Sequence, residues 1–166
     1  ACDTGPADDA RSAWLHNTLI EDNQDLLQRS PVLVGQKFLK MASDPYAFMR
    51  GTAAQFARDV ATAGSGAPLT AFGDVAPRVL IMGDPHLENI GTFRNAAGDV
   101  RLDFNDFDSA GVGPFIFDLR RLALSFDLAV RPVLEEAAQL EEDDIDRSVR
   151  ATAAGYVGEI RRLVDG

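Results

Sequence analysis

The spacing of apolar residues predicts two helical regions separated by a short region of strands. In the first region, two dipeptides indicate the start of a new helix, Ser30-Pro31 and Asp44-Pro45. Each combines an N-cap residue with a proline at the first helical position. Apolar residues at helical spacing predict helices over about 8–28, 32–42 and 46–62, the last interrupted near Gly51.

The hydrophobic period changes from helical to alternating after about residue 77. Val100, Leu102 and Phe104 alternate with polar residues and predict one face of a strand. Apolar runs at 78–82 and 90–93 predict two further strands, the second forming a hairpin with the alternating one. Helical spacing returns over 115–130, where Pro132 is expected to end the helix, and over about 144–164. The sequence predicts an α+β fold, mostly helical, with a small antiparallel hairpin.

The length and composition are those of one soluble globular domain. The chain has 166 residues, 46% of them hydrophobic. We expect residues 1–7 to be a flexible N-terminus and residues 8–166 to form the domain. No apolar run reaches the length of a membrane span, and the single Cys2 excludes an internal disulfide. A bacterial cytoplasmic location is favoured, the alternative being an exported lipoprotein anchored at Cys2.

The charge balance makes nucleic acid a poor partner and favours cations. The chain has 16 Lys and Arg against 26 Asp and Glu, a net charge of −10. A phosphate backbone is repelled by such a surface, whereas divalent cations prefer carboxylate ligands. Lys37 and Lys40 are the only lysines in the sequence, and both fall in a predicted helix.

Two clusters of oxygen-bearing side chains follow the predicted strands. Asp84 and Asn89 come after the first strand, and Asp106 and Asp108 come after the hairpin. Phosphoryl transfer needs one carboxylate to orient the acceptor hydroxyl, and further oxygen ligands to hold Mg²⁺. In protein kinases the catalytic-loop Asp precedes a metal-binding Asn by five positions, and a second Asp follows the next hairpin. Asp84, Asn89 and Asp106 have this spacing.

The region resembles two families. The run from Gly83 to Asn89, followed by Asp106-Phe107, is similar to the aminoglycoside phosphotransferase branch of kinase-like folds. Four blocks in order resemble the uncharacterised bacterial domain-of-unknown-function family 2252: Lys37 to Gly51, Gly83 to Gly91, Asn105 to Asp108, and Gly113 to Leu122. The resemblance as a whole spans roughly residues 14–131, and the fold it implies is the C-terminal catalytic lobe of a kinase-like enzyme.

The resemblance assigns roles to individual residues. Asp84 takes the position of the catalytic base, and Asn89 and Asp106 those of metal ligands. The remaining candidates are Asp108 as a ligand to a second metal, Asp118 as a structural support of the loop, and Arg50 and His86 as substrate- or phosphate-binding groups. His86 is the weaker candidate, because a histidine in such a loop often hydrogen-bonds the backbone and holds the loop's shape. Arg50 is equally open to a role as a cap of its helix. The implied cofactors are Mg²⁺ or Mn²⁺, with ATP.

A nucleotide grip is not found in the sequence. Kinases use a Gly-rich turn and a strand lysine, but the lysines here lie in a predicted helix, and Gly64-Ser65-Gly66 lacks flanking strands. We therefore expect an incomplete site that needs a missing lobe, or a second copy, to bind ATP.

Three functions remain open. The first is a kinase-like phosphotransferase acting on a small-molecule hydroxyl with Mg-ATP. The second is a degenerate kinase-like module that binds without catalysis. The third is a metal-dependent phosphohydrolase, which uses the same carboxylates to activate water and needs no nucleotide grip.

Overall fold

The computed structural model describes residues 6–61, 77–136 and 141–166. The predicted Gly64-Ser65-Gly66 loop and most of the predicted flexible N-terminus lie outside these residues. The described elements are α1 (Pro6–Asp22), α2 (Gln24–Arg29), α3 (Pro31–Met41), α4 (Pro45–Gly51), α5 (Ala53–Ala61), β1 (Arg78–Ile81), a 3-10 turn (Leu87–Asn89), β2 (Ile90–Arg94), β3 (Val100–Phe104), β4 (Gly111–Pro114), α6 (Phe115–Glu136) and α7 (Glu142–Asp165). The fold is α+β and mostly helical, as predicted.

The chain divides into two compact units within the span predicted as one domain. The first unit is Ala1–Asp74 and the second is Val75–Gly166. The first unit is helical in its described part, and the strands lie in the second. No helix within the described ranges combines the length and apolar content of a membrane span.

A break at Asn23 divides the first predicted helix into α1 and α2. The Asn23 side-chain nitrogen donates to the Leu19 carbonyl at 2.8 Å, and the side-chain oxygen accepts from Lys37 Nζ at 2.8 Å. Asparagine competes in this way with the helical backbone. The prediction of one helix over 8–28 was therefore wrong, because a tertiary contact to α3 holds the break.

The corner between α3 and α4 agrees with the sequence prediction. Asp44 caps α4 by accepting from the Ala47 N–H at 2.8 Å, and Pro45 occupies the first position. Ser30 occupies the equivalent position before α3 but makes no side-chain capping bond. The predicted interruption near Gly51 is confirmed. A Cβ at Gly51 would lie 2.5 Å from the Met41 side chain, so glycine lets the two helices approach closely.

Two antiparallel sheets of two strands each form the β part of the second unit. The predicted hairpin is confirmed, with Ile90 opposite Phe104 and Arg94 opposite Val100. The other sheet pairs β1 with β4, which was not predicted. β4 has the sequence Gly-Val-Gly-Pro, which has little strand character of its own, and its pairing with β1 makes it a strand.

The alternating face of β3 is not a buried face. Val100 is 63% exposed and Leu102 is 72% exposed, while Phe104 is half-buried. The alternation of apolar and polar residues correctly predicts the strand β3. Alternation alone does not identify what covers a face of that strand.

The long helices α6 and α7 pack against each other in the second unit. Phe115 and Tyr156 stack with ring centroids 5.7 Å apart. Pro132 lies inside α6, so the prediction that it ends the helix was wrong. At four residues from the helix end, the proline removes one backbone hydrogen bond and leaves the preceding turns intact. A cavity of about 650 Å³ opens between α6, α7 and the hairpin, with Phe104, Leu122, Phe126 and Gly155 among its lining residues.

Replacing Gly155 by alanine should stabilise the chain. Gly155 lies in the interior of α7, and a Cβ there meets no atom within 4 Å. Alanine has the higher helix propensity, so Gly155→Ala should raise the free energy of unfolding by about 0.5–1 kcal/mol in a urea titration. Gly98 has a φ of +89°, so Gly98→Ala should instead lower it by about 1 kcal/mol. A loss of stability in Gly155→Ala would contradict this account of α7.

The cap of α4 should make stability depend on pH. The Ala47 N–H, and then the Ser43 hydroxyl, lower the pKa of Asp44 from its ordinary value of 3.8. The stabilisation is therefore present above this value and is lost as the pH falls through the lowered one. The difference in melting temperature between wild type and Asp44→Asn should shrink at the acid end of a series from about pH 6 to 2. Asp25→Asn, in the first turn of α2, is the matched control. A difference that stays constant across the series would refute the prediction.

Candidate functional site

The loop after β1 is a tight turn that only glycine can make. Gly83 has a φ of +86°, and a Cβ there would lie 2.1 Å from the Ser109 carbonyl oxygen. The next residue is Asp84, and the Pro85 that follows is fully buried. The backbone conformation of this loop therefore fixes the direction in which the Asp84 side chain leaves it.

Asp118 holds the beginning of this loop from the first turn of α6. Its carboxylate accepts hydrogen bonds from the Met82 N–H at 2.6 Å and the Gly83 N–H at 3.0 Å. A carboxylate is also well placed in a first helical turn, where the helix dipole favours negative charge. The residue for which the resemblance implies structural support thus contacts the loop backbone directly.

Arg121 holds the side chain of Asp84 itself. Its Nε donates to Asp84 Oδ1 at 2.5 Å, and the Arg121 side chain is 1% exposed against 21% for Asp84. Arg121 lies one turn after Asp118, so both residues share one face of α6. One helix face therefore fixes the loop at its backbone and at its carboxylate.

Sequence reasoning assigned Arg121 no role. The residue lies within the fourth block of the resemblance, at the spacing from Asp118 that places two side chains on one helix face. That spacing was the available signal. The pairing with Asp84 joins residues 37 positions apart. The local hydrophobic pattern therefore gives no indication of it.

Asn89 joins the Asp84 loop to the end of the hairpin. Its side-chain nitrogen donates to the Asp84 carbonyl at 3.1 Å, and its own carbonyl accepts from the Asn105 N–H at 2.8 Å. Asn89 is 6% exposed. Because Asn105 immediately precedes Asp106, the two sequence clusters meet at the open end of the β2–β3 hairpin.

Asp106 and Asp108 present exposed carboxylates at this end. Asp106 has a φ of 61° and is, among the described residues, the one non-glycine with a positive φ. Aspartate tolerates this left-handed conformation better than most residues, and such positions are concentrated at functional sites. Asp108 follows in a turn closed by the Ala110 N–H on the Phe107 carbonyl at 2.9 Å.

The oxygen donors suit a cation that arrives with a phosphorylated ligand. In the part of the chain that the structure describes, no three His, Cys, Asp or Glu side chains are grouped as a metal site. Mg²⁺ usually binds proteins through one or two carboxylates, substrate phosphates and water. The amide oxygen of Asn89 and the carboxylates of Asp106 and Asp108 match that chemistry.

The remaining two candidates are His86, in the loop of the second unit, and Arg50, in the first unit. His86 is 3% exposed, which favours a role in the shape of the loop over contact with a ligand. Arg50 lies in the last turn of α4, in the first unit, beside a small cavity that Lys37 and Lys40 also line.

Removing Asp84 should destabilise the second unit. Asp84→Ala deletes one partner of an ion pair whose arginine is buried, which should lower the free energy of unfolding by about 2–4 kcal/mol, discounted for the partial exposure of Asp84. Asp84→Asn keeps an oxygen that can accept from Arg121, so it should be less destabilising. Denaturant unfolding measures both, and the exposed Asp108→Ala should stay within about 0.5 kcal/mol of wild type. Equal stability of Asp84→Ala and wild type would disprove the structural role of the pair.

Comparison with known protein families gives a match over most of the chain. The model of an uncharacterized protein family conserved in bacteria, DUF2252, matches residues 29–165. No curated protein and no solved structure gives a significant match. The matched range includes Arg50, the Asp84 loop, the hairpin and Asp118. Since it covers well over half of the chain, the protein belongs to the DUF2252 family.

Proposed function

We propose that this chain carries the catalytic part of a kinase-like phosphotransferase, which transfers a phosphoryl group from Mg-ATP to a hydroxyl of a small molecule. The observation that supports the proposal most is the link through Asn89. It brings the loop of Asp84 to the hairpin end that carries Asp106. A kinase-like mechanism needs a base and metal ligands at one place.

Asp84 is the proposed base. Arg121 contacts Oδ1 of the carboxylate, and about one-fifth of the side chain is exposed. The second carboxylate oxygen would orient the acceptor hydroxyl and take its proton. The acceptor oxygen would then bond to the γ-phosphorus of ATP, as the bond from that phosphorus to the bridging oxygen breaks and ADP leaves. Arg121 and Asp118 are positioning residues, because they fix the carboxylate and its loop.

Asn89, Asp106 and Asp108 are the proposed metal ligands. Their oxygens are of the type that Mg²⁺ prefers, and two of the three residues are exposed at the hairpin end. When bound, the cation would neutralise charge on the transferred phosphoryl group. The protein's part is to hold these oxygens in one place.

A binding module without catalysis is the second candidate. Both lysines lie on the helix α3, and kinases use a lysine on a strand to hold the phosphates. This observation favours a degenerate kinase-like domain. The third option is a metal-dependent phosphohydrolase, which would use the same carboxylates to activate water and needs no nucleotide grip.

The metal site can be tested without a nucleotide. Mn²⁺ should broaden the amide NMR signals of Asn89 and of residues 105–108, because the paramagnetic ion relaxes nearby protons. Asp106→Asn should abolish the broadening. Asp103→Asn removes an exposed carboxylate from the same hairpin and should leave it unchanged. Broadening that persists in Asp106→Asn would rule out the proposed ligand set.

Catalysis is tested on a longer form of the protein that also carries a nucleotide-binding segment, by ATP consumption in the presence of Mg²⁺ and a panel of polyhydroxylated small molecules. We expect transfer, and a loss of about 100-fold or more in rate in Asp84→Asn, because a positioned general base contributes at least that much. Asp103→Asn should retain the wild-type rate. Absence of any turnover, together with the Mn²⁺ signature, would favour the binding module over the enzyme.

A further inference from the structure

The first unit contains a small cavity surrounded by positive charge. The cavity has a volume of about 180 Å³ and lies in the corner between α3 and α4. Its lining residues are Lys37, Lys40, Met41, Ala47, Arg50 and Gly51. Three of the six are cations and none is an acid, although the chain carries a net charge of −10. Both lysines of the chain are therefore at this one place.

The packing of the two helices imposes this convergence. Lys37 and Lys40 are three positions apart on α3 and so lie on one face of the helix. The turn capped by Asp44 folds α4 back along α3, which brings Arg50 to the same corner. Close approach depends on Gly51, where a Cβ would lie 2.5 Å from the Met41 side chain.

Lys37 is held in place by a neutral partner. Its Nζ donates to the side-chain oxygen of Asn23 at 2.8 Å, and Asn23 is 6% exposed and anchored to the Leu19 carbonyl. An ammonium group has three donors, and the amide accepts one of them without neutralising the charge. Placing the ammonium on an amide keeps its charge and two donors for a ligand.

Asp44, an acid that interacts with Lys40, is already engaged by other donors. Asp44 interacts electrostatically with Lys40, but its two carboxylate oxygens accept hydrogen bonds from the Ala47 N–H and the Ser43 hydroxyl. Asp44 does not line the cavity. Cations are favoured near helix C-termini, which explains why Lys40 and Arg50 are in the last turns of α3 and α4. This effect does not explain Lys37, which lies in the interior of α3 and contacts the buried side-chain amide of Asn23.

We propose that this cavity binds the phosphate group of a small phosphorylated molecule. Two lysines and an arginine line the cavity, and their combined charge matches a doubly charged anion better than a singly charged carboxylate. A volume of about 180 Å³ is below that of a pocket for a whole drug-sized ligand, so the phosphate enters and the rest of the molecule stays outside. The sequence prediction gave neither lysine such a role. The inference does not rest on the proposed function, because it needs neither a metal nor Asp84.

Titration of the metal-free chain with inorganic phosphate tests this site, with calorimetry for affinity and amide NMR shifts for location. We expect saturable shifts in the last turns of α3 and α4. The exposed Lys40 gives the main variant, and Lys40→Gln should weaken binding about tenfold or more, since it removes one charge-assisted contact. Lys40→Arg should retain binding.

Arg29→Gln is the matched control, because it removes one exposed cation from the same unit but not from the cavity. It should leave phosphate affinity unchanged, as should Asp84→Asn. A sugar phosphate and ATP without metal should compete with phosphate, which shows that the bound group can belong to a larger molecule. If only inorganic phosphate binds, free phosphate is the ligand of the site.

Three results would overturn the proposal. The first is the absence of saturable phosphate binding. The second is an equal effect of Arg29→Gln and Lys40→Gln on phosphate affinity. That result would indicate non-specific electrostatic attraction of phosphate and no binding site in the cavity. The third is acetate binding as tight as phosphate binding. Failure of the Mn²⁺ and turnover tests, with phosphate binding intact, would remove the proposed enzyme and leave this site standing.

Discussion

The contact between Arg121 and Asp84 is the constraint on which the second unit depends. A guanidinium that is 1% exposed has lost its hydration, so it requires a carboxylate at short range. Asp84 supplies it only if the loop after β1 turns sharply, which Gly83 permits through its positive φ. The hydrogen bonds of Asp118 and Asn89 then fix the same loop at its two ends. The position of the candidate base thus follows from burial of an arginine on the neighbouring helix.

Much of the fold could be predicted from the sequence because its signals are local. The Asp44-Pro45 start of α4, the hairpin and the interruption near Gly51 all depend on residues within a few positions of each other. The failures depend on distant partners. Asn23 breaks a helix because α3 contacts it, and β4 becomes a strand because β1 pairs with it. Periodicity within a window contains no information about either partner.

The candidate site was predictable in its residue types and only partly in its arrangement. The spacing of Asp84, Asn89 and Asp106 indicated which groups to consider, and chain geometry then placed two of them around one hairpin end. The burial of His86 and the pairing of Arg121 were beyond sequence reasoning, because burial is set by the whole unit. The basic cavity could not be predicted either, because it depends on tertiary packing. In the sequence Lys37 is an ordinary helix residue, and it lines a cavity only because α4 packs against α3.

The ion pair also restricts how this sequence can change over time. A relative that lost Asp84 alone would retain a buried guanidinium without this carboxylate, and its fold would be less stable. Loss of Asp84 is therefore tolerable only when Arg121 is replaced in the same lineage, by an apolar residue that fills its space. If the proposed function holds, family members that lack the reaction should be recognisable from their sequences by the joint absence of Asp84 and Arg121. Retention of the pair by itself is weaker evidence of activity, because folding alone is enough to maintain it.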